Sequence, residues 1–320
     1  MSTKSRITRV TFPVKGVDID INYQTVSPDS ESINNESTII LLPGWSINAH
    51  ANSAKIIAKA FAQISNNKVI IIDTKPSKII KDTLYLEALA IKNLIEKSGV
   101  KKIIIAGYSE GGIKAVNLTT ILQKNPEIEI NGLALMEPMG LYTQESKVKV
   151  VGGFIKDTFL DTPISIAKRV LLRKDASTIK TALTAGSDIL SGMANEIKRS
   201  KADYPQKITS QLNEMFYKSK RLKEITVPVI LIQGLNDPVS NPKKLIPDFE
   251  KLDEKTSIDK RGYKNPYREA YLKKHVFIKS PFIRMLVGKK VLPTHAMPVE
   301  DAMRITRASI SLIKEANNKK

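Results

Sequence analysis

The run Lys102-Ile103-Ile104-Ile105-Ala106-Gly107-Tyr108-Ser109-Glu110-Gly111-Gly112 decides how the rest of the chain is read. It begins as a short strand that is apolar on both faces and ends in small residues around a serine, the pattern G-x-S-x-G, before a segment of helical length over 111–125. A strand apolar on both faces belongs in a parallel sheet covered by helices on each side. A sharp strand-to-helix turn strains its middle residue and crowds the positions two before and two after, so both must be small. Gly107 and Gly111 meet that need, and Ser109 is left with its hydroxyl raised over the sheet.

Working outward, the runs 38–42, 69–73, 132–136 and 228–232 share the same two-faced apolar character. Segments 52–65 and 82–98 between them have helical length, the second opened by Asp82 as a capping residue and closed by Gly99. Repetition of strand, helix, strand predicts right-handed crossovers and an open α/β sheet. Upstream, residues 8–25 alternate apolar and polar side chains around Lys15-Gly16, which predicts a β-hairpin. Between Met139 and Ile225 no comparable strand occurs, and the segment reads as several helices rich in Lys and Ser. The expected organisation is one core made of residues 1–140 and 226–320, interrupted by a helical cap over 141–225 that would sit above the carboxyl ends of the strands, where open α/β sheets bind ligands. The last strand falls either in 271–282 or in 283–287, and 299–316 is a good final helix.

Composition narrows the chemistry. With no Cys among 320 residues, disulfides, thiolate catalysis and Cys-based metal centres are impossible, and three His leave little for a His-rich site. Neither metal nor organic cofactor is therefore expected. Lys and Arg outnumber Asp and Glu 51 to 32, a net charge of +19. The excess is mostly Lys, accompanied by much Ile and Asn, whereas phosphate clamps favour Arg. No nucleic-acid-binding motif appears, and no nucleic-acid partner is expected. The charge is nonetheless uneven, since residues 141–226 carry a net of +7 and residues 241–290 a net of +8. Those segments are the ones expected nearest the site entrance, which makes an anionic substrate or membrane surface a partner class to test. The opening MSTKSRITRV lacks the apolar core of a signal peptide and no apolar run reaches the roughly 20 residues needed to span a bilayer, so a cytoplasmic location is the expectation.

With its strand, G-x-S-x-G turn and helix in that order, the chain resembles the α/β-hydrolase superfamily over nearly its whole length. The resemblance implies a mostly parallel eight-stranded sheet flanked by helices, with an inserted helical cap, and a triad in the order Ser, acid, His. Gln233-Gly234-Leu235-Asn236-Asp237-Pro238 matches the family's acid loop, making Asp237 the acid. Pro293-Thr294-His295-Ala296-Met297-Pro298 matches the histidine loop, making His295 the general base that takes the proton of Ser109. Glu137, in Met136-Glu137-Pro138, is the alternative acid, because some members draw theirs from that position. His275 and His50 are the only substitute bases. The family's oxyanion hole uses the amide after the nucleophile, here Glu110, and one from an earlier loop, here Trp45 in Leu41-Leu42-Pro43-Gly44-Trp45-Ser46, with Pro43 replacing the usual His. After Asp73 the family often has a Gly-rich loop, whereas Thr74-Lys75-Pro76-Ser77 stands here, which implies a reshaped pocket wall. The distance from Asp237 to His295 implies an extra segment within 257–279. Residues 42–49 are also similar to the corresponding segment of carboxylesterases that demethylate pimeloyl carrier-protein esters, a likeness that does not extend into the elbow.

What the resemblance implies is a serine hydrolase cleaving a carboxylic ester, a small-molecule ester or acyl compound, through an acyl-enzyme. Ser rather than Asp at position 109 argues against epoxide hydrolases and haloalkane dehalogenases. Thioesterases, lipases, C–C hydrolases and acyltransferases use the same triad, and fold does not separate them. From a different class, a catalytically silent basic binding module remains an alternative.

Overall fold

The computed structural model describes residues 7–29, 37–45, 47–80, 82–138, 224–234, 272–278 and 302–317, with isolated positions between 152 and 198. Eight strands form one sheet: β1 (Thr8–Val14), β2 (Val17–Val26), β3 (Thr38–Leu42), β4 (Val69–Pro76), β5 (Lys102–Tyr108), β6 (Glu129–Met136), β7 (Val229–Gly234) and β8 (Leu272–Ile278). Their spatial order is β1-β2-β4-β3-β5-β6-β7-β8. The β1/β2 and β2/β4 pairs are antiparallel and every other pair is parallel.

Side-chain alternation explains why helices cover both faces. On β3, Ile40 and Leu42 enter one apolar cluster while Ile39 and Leu41 enter the other; on β5, Ile103 and Ile105 part in the same way from Ile104 and Ala106. The first cluster is closed by α2 (Thr83–Ser98) and α3 (Glu110–Leu122), the second by α1 (Asn52–Ser65) and α4 (Ala302–Asn317). Each fully buried Ile or Leu contributes roughly 1.5–3 kcal/mol relative to exposure, so the two-faced runs that single out these strands also drive the sandwich. Close approach is built in at Gly132 on β6, where a Cβ would stand 2.9 Å from Ile313 of α4.

The hairpin forms as expected. Its two-residue turn places Lys15 at φ 48° and Gly16 at φ 76°, the left-handed pair whose twist matches that of the flanking strands. Helix α1 has the expected bounds. The chain returns after the 141–225 segment to lay β7 beside β6, and β8 occupies 272–278, within the first of the two windows considered for it. Part of the stretch 257–279, within which an extra segment is expected, is therefore a sheet strand. Residues 283–287 lie outside the described residues, as does nearly all of 141–225 and with it the expected cap.

Two local expectations are corrected. Asp82 does not cap α2: it sits at φ 65° in the left-handed region and makes no side-chain cap bond. A capping side chain requires extended backbone to reach the helix amides. Thr83 secures the entry instead, its hydroxyl donating to the Ile80 carbonyl at 2.6 Å and accepting from the Ile80 N–H at 3.0 Å. Gly99 closes the helix as expected, at φ 71° with its N–H donated to Glu96. The second concerns the end of β4: the apolar run expected as its strand stops at Asp73, but Thr74-Lys75-Pro76 continue the strand. They pair with β2 as far as Ile19↔Pro76, because β2 extends ten residues and offers them partners.

Candidate active site

At the carboxyl end of β5 the chain turns into α3 within one residue. Ser109 sits at φ 54°, ψ −122°, a conformation that L-residues avoid and that is held here by contacts on every side. Its N–H donates to the Met136 carbonyl of β6 at 3.1 Å, and its carbonyl accepts the Gly112 N–H at 2.9 Å. A Cβ on Gly107 would meet the Gly111 carbonyl oxygen at 2.5 Å and Ala115 Cβ at 2.7 Å. One on Gly111 would meet the Leu42 carbonyl oxygen at 2.1 Å and that of Pro43 at 2.5 Å. The small residues that the sequence pattern requires are thus required by backbone, which cannot swing away. Gly112 adds a third tight position, 2.8 Å from Pro138 Cβ, that the pentapeptide pattern does not anticipate.

The loop after β3 runs against the nucleophile. A Cβ on Gly44 would stand 2.9 Å from Ser109 Cβ and 3.5 Å from Ser109 Oγ, so the backbone leading into Trp45 passes directly beside the hydroxyl. Trp45 is half-buried. Asp73, buried at the end of the apolar run of β4, anchors this loop: its Oδ2 accepts the Ala49 N–H at 2.6 Å and its Oδ1 accepts Asn22 Nδ2 at 2.8 Å. The sequence signal for Asp73 was an acidic residue terminating an apolar strand, which the strand pattern alone leaves without a role. Beyond the loop, α1 begins at a backbone N–H, that of Ser53, bonded to Asp188 Oδ2 of the intervening segment at 2.7 Å.

Beneath the elbow lies a buried charged cluster that pattern reading missed. Lys114 Nζ is 3.1 Å from Glu110 Oε1, one helical turn back, and 3.2 Å from Glu87 Oε2 on α2. Thr74 of β4 donates its hydroxyl to Glu87 Oε2 at 2.7 Å and accepts from Lys114 Nζ at 3.4 Å. All three charged residues are buried. Burial pushes the Glu87 carboxyl up, opposed by Lys114 and reinforced by the negative charge of Glu110. For Lys114 burial alone would push the ammonium down, but Glu87 and Glu110 outweigh it and hold the cation above the usual lysine range. The sequence signal was the i, i+4 pair Glu110 and Lys114 on a helix that is otherwise small and apolar.

Of the residues expected at the site, Ser109, Glu110 and Trp45 come together around the elbow. Glu137 stands at the end of the neighbouring strand, fully buried at φ 47°, with its N–H donated to the Ile232 carbonyl at 2.8 Å. Asp237 and His295 lie outside the described residues. His275 falls in the middle of β8, opposite Leu231, rather than at a strand end, and His50 is exposed. Among the described residues no group of three or more His, Asp and Glu is arranged to hold a metal ion, and no helix is long and apolar enough to cross a membrane.

No family model matches the sequence, and no curated protein matches it. Solved structures do match over almost the full length. A bromoperoxidase from Bacillus anthracis superposes with a TM-score of 0.57 at 13% identity, covering 96% of this chain and 100% of its own. An esterase from Exiguobacterium antarcticum gives 0.55 at 13% identity, with 96% and 100% covered. An alpha/beta hydrolase enzyme from a deep-sea metagenome library gives 0.54 at 15% identity, with 95% and 97% covered. At such identities the likeness is one of architecture, and by that architecture this chain has the α/β-hydrolase fold.

Proposed function

We propose that the protein is a serine hydrolase that cleaves a carboxylic ester through an acyl-enzyme on Ser109. The observation that carries this reading is the strained Ser109 backbone at the strand-to-helix turn, with the Gly44 backbone alongside its hydroxyl. In the proposed reaction the Ser109 oxygen adds to the ester carbonyl carbon while His295 accepts the hydroxyl proton. The oxyanion so formed is met by the amides of Glu110 and Trp45. Collapse breaks the ester C–O bond, and His295 returns the proton to the departing alkoxide. Water, deprotonated by His295, then adds to the acyl carbon; collapse breaks the bond to the Ser109 oxygen, which takes the proton back from His295 as the carboxylic acid leaves. Asp237 holds the second nitrogen of His295 in this scheme, and residues 141–225 form the cap over the acyl pocket. An esterase among the structural neighbours is in keeping with it.

A second reading of the acid has its own support. Glu137 is buried at the end of the strand beside the elbow, one residue after the carbonyl that accepts the Ser109 N–H. A fluorophosphonate probe decides the nucleophile: wild type takes the label and Ser109→Ala does not, whereas labelling of both sinks the assignment. Ester turnover in Asp237→Asn and Glu137→Gln decides the acid. The residue that orients the histidine loses about 10³–10⁴-fold in kcat and the other far less.

A further inference from the structure

The acyl-transfer scheme uses the backbone of Glu110 and leaves its side chain, Lys114 and Glu87 without a task. Residues 110–112, which open α3, are Glu-Gly-Gly, and each Gly in a helix gives up roughly 1 kcal/mol of helical preference relative to Ala. The amide that the scheme aims at the oxyanion therefore belongs to a turn of weak helical preference, packed against β3 at Gly111 but with only Glu110 offering a long side chain to tie it further. Glu110 is the one side chain of these three residues long enough to be tied down, and it is tied to Lys114 one turn later, then to Glu87 of α2 and Thr74 of β4. Its second oxygen, Oε2, is buried without a hydrogen-bond partner among the described residues, so the bond to Lys114 is the anchor of this carboxylate there. There is also a sign problem that Lys114 solves. A bare carboxylate one residue from the nucleophile would oppose negative charge developing on a bound carbonyl, whereas the lysine compensates it and leaves the positive end of α3 facing the reaction.

We propose that Glu87, Lys114 and Thr74 form a clamp on Glu110 that fixes the first turn of α3 and so positions the Glu110 amide for the developing oxyanion; the catalytic half of this inference rests on reading Ser109 as the nucleophile. Lys114 is then a positioning residue that acts through Glu110 and touches no substrate.

The test compares Lys114→Met with Leu118→Ala, which removes a buried apolar side chain from the same helix without altering charge. Two readouts are taken on full-length protein. Hydrogen exchange measured on the peptide spanning residues 108–114 reads the clamp mechanically, and ester kinetics together with the affinity of an alkylboronic acid, which forms an anionic adduct on a reactive serine, read its catalytic effect. Expected for Lys114→Met is faster exchange in that peptide than Leu118→Ala gives at matched loss of Tm. A fall in kcat of at least about tenfold, a fraction of the roughly 10²–10³ lost with a whole oxyanion donor, should come with KM within about threefold and a parallel loss of boronic-acid affinity. Exchange and kcat that match Leu118→Ala overturn the clamp. Should Lys114→Met not fold, Glu87→Gln keeps the shape of the cluster while weakening one contact, and the same shift is expected at about threefold; unchanged exchange and kcat in that variant overturn the proposal equally. A wild type that takes up no fluorophosphonate removes the catalytic half together with the reading beneath it, while the exchange comparison still decides the mechanical half.

Discussion

Two of the described turns hold a residue other than glycine at positive φ with glycine one or two positions away, and they are held by opposite means. At the β1–β2 turn, Lys15 (φ 48°) precedes Gly16 (φ 76°), and a Cβ on Gly16 would find nothing within 4 Å. At the β5–α3 turn, Ser109 (φ 54°) is enclosed by Gly107 and Gly111, where a Cβ would collide with main-chain oxygen at 2.5 and 2.1 Å. The first conformation is imposed by local chain geometry, because a two-residue connection between twisted antiparallel strands needs left-handed residues. The second is imposed from outside, by β3, β6 and the body of α3 closing on the turn. A local turn can be altered with a small, local effect. An enclosed one transmits any change to the sheet.

The sharpest way to break that contrast is to add one methyl group at each turn. Gly16→Ala meets no atom and has only a left-handed alanine to accommodate, a loss of about 1–2 kcal/mol. In Gly111→Ala the new carbon lies 2.1 Å from the Leu42 carbonyl oxygen, and neither partner is a flexible side-chain end. The expected loss exceeds about 4 kcal/mol, in the range reserved for gross core disruption, and soluble expression should fail or thermal unfolding should occur far below wild type. Equal melting temperatures for the two variants would mean that the elbow is as loosely enclosed as the hairpin.

Much of this was legible in the sequence because it follows from period and size. Strands β3, β4 and β5 are written in consecutive Ile and Leu residues, the hairpin in alternation around Lys15-Gly16, and the elbow in glycines at two fixed offsets from Ser109. Other features arise where distant segments meet, and no local pattern encodes them. Asp73 meets the Ala49 amide across 24 positions, and Lys114 meets Thr74 across 40. The far end of β4 escaped for a related reason, since Thr74-Lys75-Pro76 have weak strand character and are extended by their pairing with β2. Asp82 failed as a cap because residue type alone does not determine backbone conformation, and at φ 65° it lacks the extended backbone that a side-chain cap needs. Gly112 escaped notice because its constraint comes from Pro138 on another strand's exit, not from the elbow itself.

Strain gives the next contrast. Holding Ser109 in its sparsely populated conformation costs about 1–3 kcal/mol, against roughly 0.5–1 kcal/mol of extra chain entropy that a glycine there would lose on folding. Ser109→Gly is therefore expected to melt higher than wild type, by about 1 kcal/mol or roughly 2 °C, while losing all fluorophosphonate labelling. At the hairpin the balance differs. Lys15→Asn relieves about 0.5–1 kcal/mol of left-handed strain, but it also gives up the Lys15 ammonium 5.9 Å from the Tyr85 ring centroid. Such an exposed cation–π contact contributes about 0.5 kcal/mol, so the melting temperature should barely move. A destabilised Ser109→Gly would show that the serine side chain, rather than the surrounding backbone, maintains the elbow.

Charge supplies the smallest and most selective probe. The hairpin is stitched on its solvent side by Asp20, which accepts the Thr11 hydroxyl at 2.6 Å and pairs with Arg9, itself 69% exposed. The Thr11 hydrogen bond is the largest influence; burial next pushes the other way, and Arg9 and Lys75 together with Thr11 outweigh it and hold the Asp20 carboxyl below its usual range. A carboxylate depressed in the folded state adds stability above its unfolded value, near pH 3.9, and loses that contribution as pH falls through the lower folded value. Exposure limits the size of the effect to about 0.5 kcal/mol, because water and salt screen a surface pair. Asp20→Asn should thus melt slightly below wild type at pH 7, and the two curves should converge as the pH approaches 2–3, with the pH 7 difference also shrinking in 1 M salt. The elbow offers no such handle to salt, since its ion pairs are buried with Lys114 between two carboxylates. A pH 7 difference for Asp20→Asn that persists unchanged at pH 2 would place its origin in side-chain shape and would remove electrostatics from what separates the two turns.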